Sequence, residues 1–549
     1  MAPDEPAQRQ RSTTYTLLVY ASSSWVRLLL TLSTGLVLTP LLIKHMGVDL
    51  FGLFTMIAVT VAAADPIQTT LKRALTRELT LAVSSGEPGR LRRTFSNAVI
   101  LAAAGSLITI VIPAIIALLA PHILTLNSIP VWKAQLAIVC EGFLIASMAV
   151  LSPWLNLYLA TKRIVNDNIS QTLSRLLDLV AALAAFRIPD ADPFVAFILL
   201  RAGFRGWQMY ARSLIIRFQV PDARFSPSLF DKPLFREMAT TGGWSSGNQI
   251  ASFAMYASDH YILNIFRGPV FNGLYGVIIQ LLGYTRMLGA NLTYGADVIA
   301  ADLQHQGRHA TVRKMLLRLT AHTFTVNGVC AAGMIAFAGP IMQVWLGKQL
   351  ESDDKLLGVM TYHEAIRFAW LYIAVMLPGF VLSETHLASS VILYGMGRVR
   401  EYAPPLIVGS ILRVITAVGL MAAGFAPIAL AWCSLAFFIA IFGLFFPWLI
   451  ARTAEEPLSR LAWRVYLRPA LSFIPVVLLG LWAAEALGPW TGLRHAPKLA
   501  LVCISIGAVY APFAYILCLE PDERSQVRTI ITKVLARLPV LRRFAPTSL

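Results

Sequence analysis

Long apolar runs separated by short polar stretches set the pattern of this 549-residue chain. Taken in order, they predict fourteen membrane-crossing helices, at roughly 17–40, 48–70, 95–119, 134–159, 168–187, 193–215, 244–266, 270–298, 319–345, 370–393, 403–424, 427–450, 468–487 and 497–519. An apolar run of 18 or more residues is long enough to cross a hydrocarbon layer of about 30 Å. Between the first two runs, Lys44-His45-Met46-Gly47-Val48-Asp49-Leu50-Phe51-Gly52-Leu53-Phe54 reads as a short loop that leads into a helix. The chain repeats it as Ile265-Phe266-Arg267-Gly268-Pro269-Val270-Phe271-Asn272-Gly273-Leu274-Tyr275, with Gly47 matching Gly268 and Gly52 matching Gly273. A second echo, Ala120-Pro121-His122-Ile123-Leu124 against Gly339-Pro340-Ile341-Met342-Gln343, lies at nearly the same offset. Self-similarity at a fixed offset points to a duplicated chain.

Composition agrees with this pattern. Apolar residues make up 57% and charged residues 14%, against about 25% charged in soluble domains. The expected fold is therefore an all-α polytopic membrane protein. The five cysteines lie inside apolar runs with no Cys-x-x-Cys pair, so they read as core residues rather than as disulfides or metal ligands. The polar N-terminus enters an apolar run too long for a signal h-region, which predicts an uncleaved signal-anchor. No Gly-x-x-x-x-Gly-Lys-Ser/Thr is present, and His363-Glu364 lacks the second histidine of a zinc-protease helix. Neither an ATPase nor a cofactor is expected.

The formal charge of +17 raises nucleic acid as a partner, but the basic residues fall in alternate loops. With the N-terminus in the cytoplasm, 31 Lys and Arg lie in cytoplasmic segments and 9 on the opposite side. That bias is positive-inside topology, with both termini cytoplasmic. The stretches 216–243 and 347–368 have room for a short surface helix at most. Beyond Glu520, Val527, Ile530, Ile531, Val534, Leu535, Leu538 and Leu541 recur at helical spacing among Arg524, Arg528, Lys533, Arg537, Arg542 and Arg543. This reads as a basic amphipathic helix on the anionic leaflet; the alternative is a frayed basic tail.

Six arginines remain inside predicted spans: Arg27, Arg175, Arg201, Arg205, Arg286 and Arg413. At about 2.5–3.5 kcal/mol each on insertion scales they oppose insertion by roughly 15–20 kcal/mol, so they are expected to face a bundle interior or a wet cavity. Arg201 and Arg205 share one helix face. Acids also lie inside spans: Asp65, Glu141, Asp178, Asp259, Asp297 and Glu384. Arg175 and Asp178 can pair within one helix, while the other five arginines lack an acid three or four residues away. Two readings stand: ion pairs that orient helices, or a cationic cavity for an anionic head group. Arginine suits the second, because its planar fork of donors matches phosphate oxygens. Pro113, Pro153, Pro378, Pro475 and Pro512 predict kinks.

The run Gly47–Phe54, followed by Asp65 and then Leu75-Thr76-Arg77, resembles the opening of bacterial polysaccharide-transport flippases of the multidrug/oligosaccharidyl-lipid/polysaccharide exporter superfamily. Asp259 before the Gly268–Tyr275 repeat, Val344-Trp345-Leu346-Gly347 after Pro340, and Gly424-Phe425-Ala426-Pro427-Ile428 extend the likeness over most of 15–450. Asp65-Pro66-Ile67 departs from it, where the family has Asp-x-Gly. The resemblance implies two six-helix lobes in a V, at 15–217 and 244–451. An N-terminal segment 1–14 would precede them, a linker 218–243 would join them, and two extra helices in 452–519 and the tail 520–549 would follow. It implies export of an undecaprenyl-diphosphate-linked oligosaccharide across a bacterial inner membrane, by alternating access. The partners it implies are the lipid-linked glycan, the bilayer and other polysaccharide-assembly proteins, with a monomer favoured. By helix position, Arg27 and Arg286 match cavity arginines of such flippases, with Arg175, Arg201, Arg205 and Arg413 in support. Ion coupling would fall to Asp65, Glu141, Asp178, Asp259 or Asp297. Two rivals are a multidrug/cation antiporter of the same superfamily and a membrane-embedded glycan polymerase, ligase or glycosyltransferase. For the last, Glu351-Ser352-Asp353-Asp354 is the nearest acidic loop, and it reads as a solvated turn.

Overall fold

The computed structural model describes residues 5–61, 75, 78–83, 85–87, 89–126, 129–161, 163–240, 257–293 and 296–537. The protein is a multi-pass, all-helical membrane protein. Among the described residues, nine helices are long and apolar enough to span a bilayer. Helices also occupy the more polar predicted spans, at Ile164–Ala185 and Pro193–Gln219, and Pro269–Leu292 occupies most of another. Helical backbone satisfies every peptide group within its own segment, which hydrocarbon demands.

The chain divides into two compact units. The first comprises Met1–Tyr284, Trp345–Tyr372 and Val399–Phe437, and the second comprises Thr285–Val344, Ile373–Arg398 and Phe438–Leu549. In the first, Phe95, Leu157, Tyr158, Ile216 and Met238 form a buried core toward one end of the bundle. In the second, Val312, Leu316, Ile392, Ile450 and Val465 do the same.

Three boundaries differ from the sequence expectation. The first two spans are two helices within Glu5–Val61 that meet directly at a kink at Gly47, where φ is 83°. A one-residue joint thus stands where a loop was expected. Its twin Gly268, at φ 84°, separates a helix at 257–267 from Pro269–Leu292 in the same way. Only glycine enters that left-handed region without strain. The expected span 270–298 is also two helices, Pro269–Leu292 and Ala296–His305. Lastly, the turn at 351–354 is exposed as expected at Glu351, Ser352 and Asp354, but not at Asp353. Asp353 is buried, caps Asp354–Leu357 through the amides of Lys355 and Leu356, and accepts the Val48 amide at 2.8 Å.

The two matching helix starts lie against each other. A Cβ on Gly52 would strike the Pro269 carbonyl, and one on Gly273 would strike the Val48 carbonyl. Asn272 donates to the Gly52 carbonyl at 2.7 Å, and its Oδ1 lies 2.6 Å from His260 Nδ1. Further along, Thr39 donates to Gln280 at 2.7 Å and Gln280 donates to the Gly35 carbonyl at 3.2 Å. The repeated glycines thus form a close seam in which backbone meets backbone.

Candidate functional site

The helices Ile164–Ala185 and Pro193–Gln219 carry facing polar stripes. On the first, Asp167, Gln171, Ser174 and Asp178 recur at three or four residues; on the second, Arg201, Arg205, Gln208 and Arg212 do so. Such spacing puts each set on one face. Asp178, buried, accepts from Arg201 Nε at 3.1 Å and lies 3.8 Å from Arg205 Nε and 3.9 Å from Arg175 Nη1. Glu141, from Val131–Ala160, is the second partner of Arg201. Arg201 also stands over the Phe54 ring, 5.2 Å from its centroid. Three guanidinium groups thus share two carboxylates, which leaves one positive charge in excess.

Arg27 joins the same stripe one turn away. It donates to Gln171 Oε1 at 2.5 Å, Gln171 donates to Asp167 at 2.7 Å, and Asp167 is ion-paired with Arg212. The Arg212 guanidinium lies over the Tyr158 ring. Ser174 and Ser170 bind Gln208 between the two charge groups. Exposure sorts the arginines. Arg201 is buried, Arg205 and Arg27 are partly buried, and the Arg175 side chain is 52% exposed. Arg205 Nε has no hydrogen-bond partner, so that donor is still to be satisfied.

A second buried pair lies in the same unit. Arg413 donates to Asp259 Oδ1 and Ser258 Oγ at 2.5 Å each, and to Ser434 Oγ at 2.7 Å. The other oxygen of Asp259 accepts from Tyr275 at 3.2 Å and Tyr372 at 3.3 Å. Both charged side chains are fully buried. This ion pair is fully buried in a shell of hydrogen bonds that leaves only the Arg413 Nε of the pair's donors without a partner, and neither side chain is exposed to a head group.

Within the second unit, Arg286 Nε lies 3.5 Å from Glu384 Oε2, with Arg286 46% exposed and Glu384 buried. Nearby on the Glu384 helix, His386 lies between Tyr466 and Ser389, and Ser389 meets Thr320. Asp65 falls outside the described residues. Asp297 begins the Ala296–His305 helix, and its side chain is likewise outside them. Among the described residues, no three His, Cys, Asp or Glu side chains gather as metal ligands.

The expected pairing of Arg175 with Asp178 is present. Two longer-range pairs are invisible from the spacing of neighbouring turns, because Arg201 meets Glu141 and Arg413 meets Asp259 across separate helices. Gln171, Asp167 and Gln208 were also missed. Their three-to-four-residue spacing was the available signal.

No family model matches the chain. Its fold is shared with solved flippase and multidrug-transporter structures. The lipid II flippase MurJ, in an inward closed conformation, aligns with a TM-score of 0.59 at 10% identity, over 91% of this chain and 98% of that one. An inward-facing multidrug-resistance MATE transporter aligns with a TM-score of 0.58 at 13% identity, over 80% of this chain and 99% of its own. Among curated sequences, the uncharacterized membrane protein EpsK of Bacillus subtilis (strain 168) is 22% identical over 528 residues, covering 92% of this chain and 96% of EpsK. Flippases and transporters are thus the structural neighbours of this protein.

Proposed function

We propose that the protein is a flippase for an undecaprenyl-diphosphate-linked oligosaccharide or a related anionic lipid-linked glycan. It works in the bacterial inner membrane with both termini cytoplasmic, and it moves the head group to the periplasmic leaflet by alternating access of two six-helix lobes. The observation that carries this reading is the excess of guanidinium over carboxylate on the facing stripes at Arg175, Arg201 and Arg205. A substrate phosphate supplies the missing negative charge. Arg175, Arg27 and Arg205 offer the accessible donors of the first unit, and Arg286 offers those of the second. Arg201 and Arg413 fix helices through their pairs. The likeness to the flippase MurJ over 91% of the chain supports the same reading.

The fold also fits a cation antiporter, given the MATE likeness. Excess positive charge repels a cationic drug, so the charge count favours the anion. Asp259 is a poor seat for a coupling ion, since Arg413 and two tyrosines already satisfy it. The membrane potential acting on a charged head group is the simpler drive.

The test is a deletion strain. Lipid-linked oligosaccharide should accumulate in its cytoplasmic leaflet, and wild-type protein should clear it. Arg27→Ala and Arg286→Ala should each clear it less well. Full rescue by both variants would defeat the cationic site. No accumulation in the deletion strain would defeat the substrate.

A further inference from the structure

Two stretches of the second unit are wound as π-helix, Ile439–Phe445 and Ala462–Leu467. After the first, the Phe446 amide reaches back five residues to the Ile441 carbonyl; after the second, the Arg468 amide does the same to Trp463. Such turns are rare and gather at functional sites. The sequence supplies their cause. Pro447 and Pro469 each stand two residues past a π segment. A proline has no amide to donate, and its ring strikes the carbonyl four residues back. Those carbonyls belong to Gly443 and Val465, one in each π segment. The wider turn carries the carbonyl clear of the ring. It also leaves a point where the helix lacks a bond and bends more easily.

Both segments present an aromatic ring to one buried residue. His386, fully buried on Tyr362–Gly395, has its Nε2 3.1 Å from the hydroxyl of Tyr466, in the second segment. Its ring stacks on Phe442, in the first segment, with centroids 6.2 Å apart, and lies 4.9 Å from the Phe446 ring. His386 Nδ1 is 3.3 Å from Ser389 Oγ, which lies 3.0 Å from Thr320 Oγ1 on His309–Glu351. The chain also leaves the first compact unit for the second between Phe437 and Phe438, where the first π segment begins. We propose that the two π segments are paired hinges and that His386 is the pin that holds both at one bend. During transport the hinges flex, and Phe442 and Tyr466 part from His386. The helix that carries the pin also carries Glu384, the partner of Arg286. The second unit's head-group donor and both hinges therefore answer to one helix.

Hydrogen-exchange mass spectrometry on the full-length protein in nanodiscs tests the pin without any substrate. Tyr466→Phe removes one hydroxyl from the second segment. It should speed exchange of amides 439–446, in the first segment, about fivefold, as loss of one buried hydrogen bond implies. Amides of the other membrane helices should keep their wild-type rates. His386→Phe, which keeps a ring in place, should speed exchange in both segments. Faster exchange confined to the mutated segment, or none, would overturn the pin. P447A/P469A tests the hinges by restoring both missing amides. It should melt no lower than the wild type, exchange more slowly in both segments, and fail to clear lipid-linked oligosaccharide in the deletion strain. Wild-type exchange in both segments, or wild-type clearance, would overturn the hinges. The clearance arm rests on the proposed substrate. If no oligosaccharide accumulates in the deletion strain, the substrate is wrong and the exchange rates alone decide the hinges.

Discussion

Burial decides what each intramembrane arginine can do. Arg413 is fully buried with Asp259, and removing one member of such a pair strands a charge in a dry interior. Asp259→Asn or Arg413→Gln alone should each cost about 3–5 kcal/mol. The double variant should recover part of that loss, which thermal unfolding of the purified protein would measure. Arg175 has the opposite character. Its exposed side chain meets Asp178 at 3.9 Å, and exposed pairs contribute only about 0–1 kcal/mol. Arg175→Ala should therefore leave the melting temperature nearly unchanged while it slows the proposed glycan export. The arginines are legible in the sequence because charge inside an apolar run is conspicuous. The partners of Arg201 and Arg413 are not, because Glu141 and Asp259 lie on other helices, and pairing across helices leaves no local trace. The stripe Asp167-Gln171-Ser174-Asp178 was visible in the spacing, but its amides and hydroxyl do not stand out as charges do.

At the level of the elements, the repeat is the most informative feature. It was legible as a motif, and its glycines were the clue. What it could not show is that the two copies touch. Gly52 and Gly273 have no room for a methyl group, whereas Gly283, on the same helix as Gly273, has open space around its Cα. Gly273→Ala should destabilise by about 1–3 kcal/mol through overpacking. Gly283→Ala should be neutral or stabilising by up to about 1 kcal/mol, since alanine is the better helix former. Chemical denaturation of the two variants side by side would check this contrast. The expected loop at Gly47 was wrong in length because one left-handed glycine redirects a chain without a loop. The C-terminal helix Pro521–Arg537 formed as its spacing predicts, but its first turn is fastened by Arg318 and Arg464, far away in sequence. Arg318 donates to Glu520 at 3.2 Å and also pairs with Asp522, and Arg464 Nε donates to Glu520 at 2.5 Å. Burial raises the Glu520 carboxyl, yet hydrogen bonds and charge from Arg464 and Arg318 more than offset this and leave it below its ordinary value. A hydrogen bond from Arg318 lowers Asp522 likewise. Depressed carboxyls stabilise fully above their unfolded value near pH 4 and lose that contribution as pH falls through the lower folded values. First-turn exchange protection should hold from pH 8 to 5 and fall below about pH 4.

For the whole molecule, charge is the deciding property. Fourteen apolar runs, a duplicated plan and a positive-inside bias made the fold class readable, because hydrocarbon imposes simple rules on length and charge. The division into compact units was not readable, since it cuts through individual helices rather than following the polar linker at 218–243. The excess of guanidinium over carboxylate is what separates an anionic glycan lipid from a cationic drug. The most direct measurement is binding of an undecaprenyl-diphosphate-linked sugar to the purified protein, beside a lipophilic cation, for the wild type and for R27A/R175A. The account predicts that the wild type binds the diphosphate lipid, and that the double variant binds it at least about tenfold more weakly, or about 1.4 kcal/mol. Equal binding of the diphosphate lipid by the two proteins, or preference of the wild type for the cation, would contradict it.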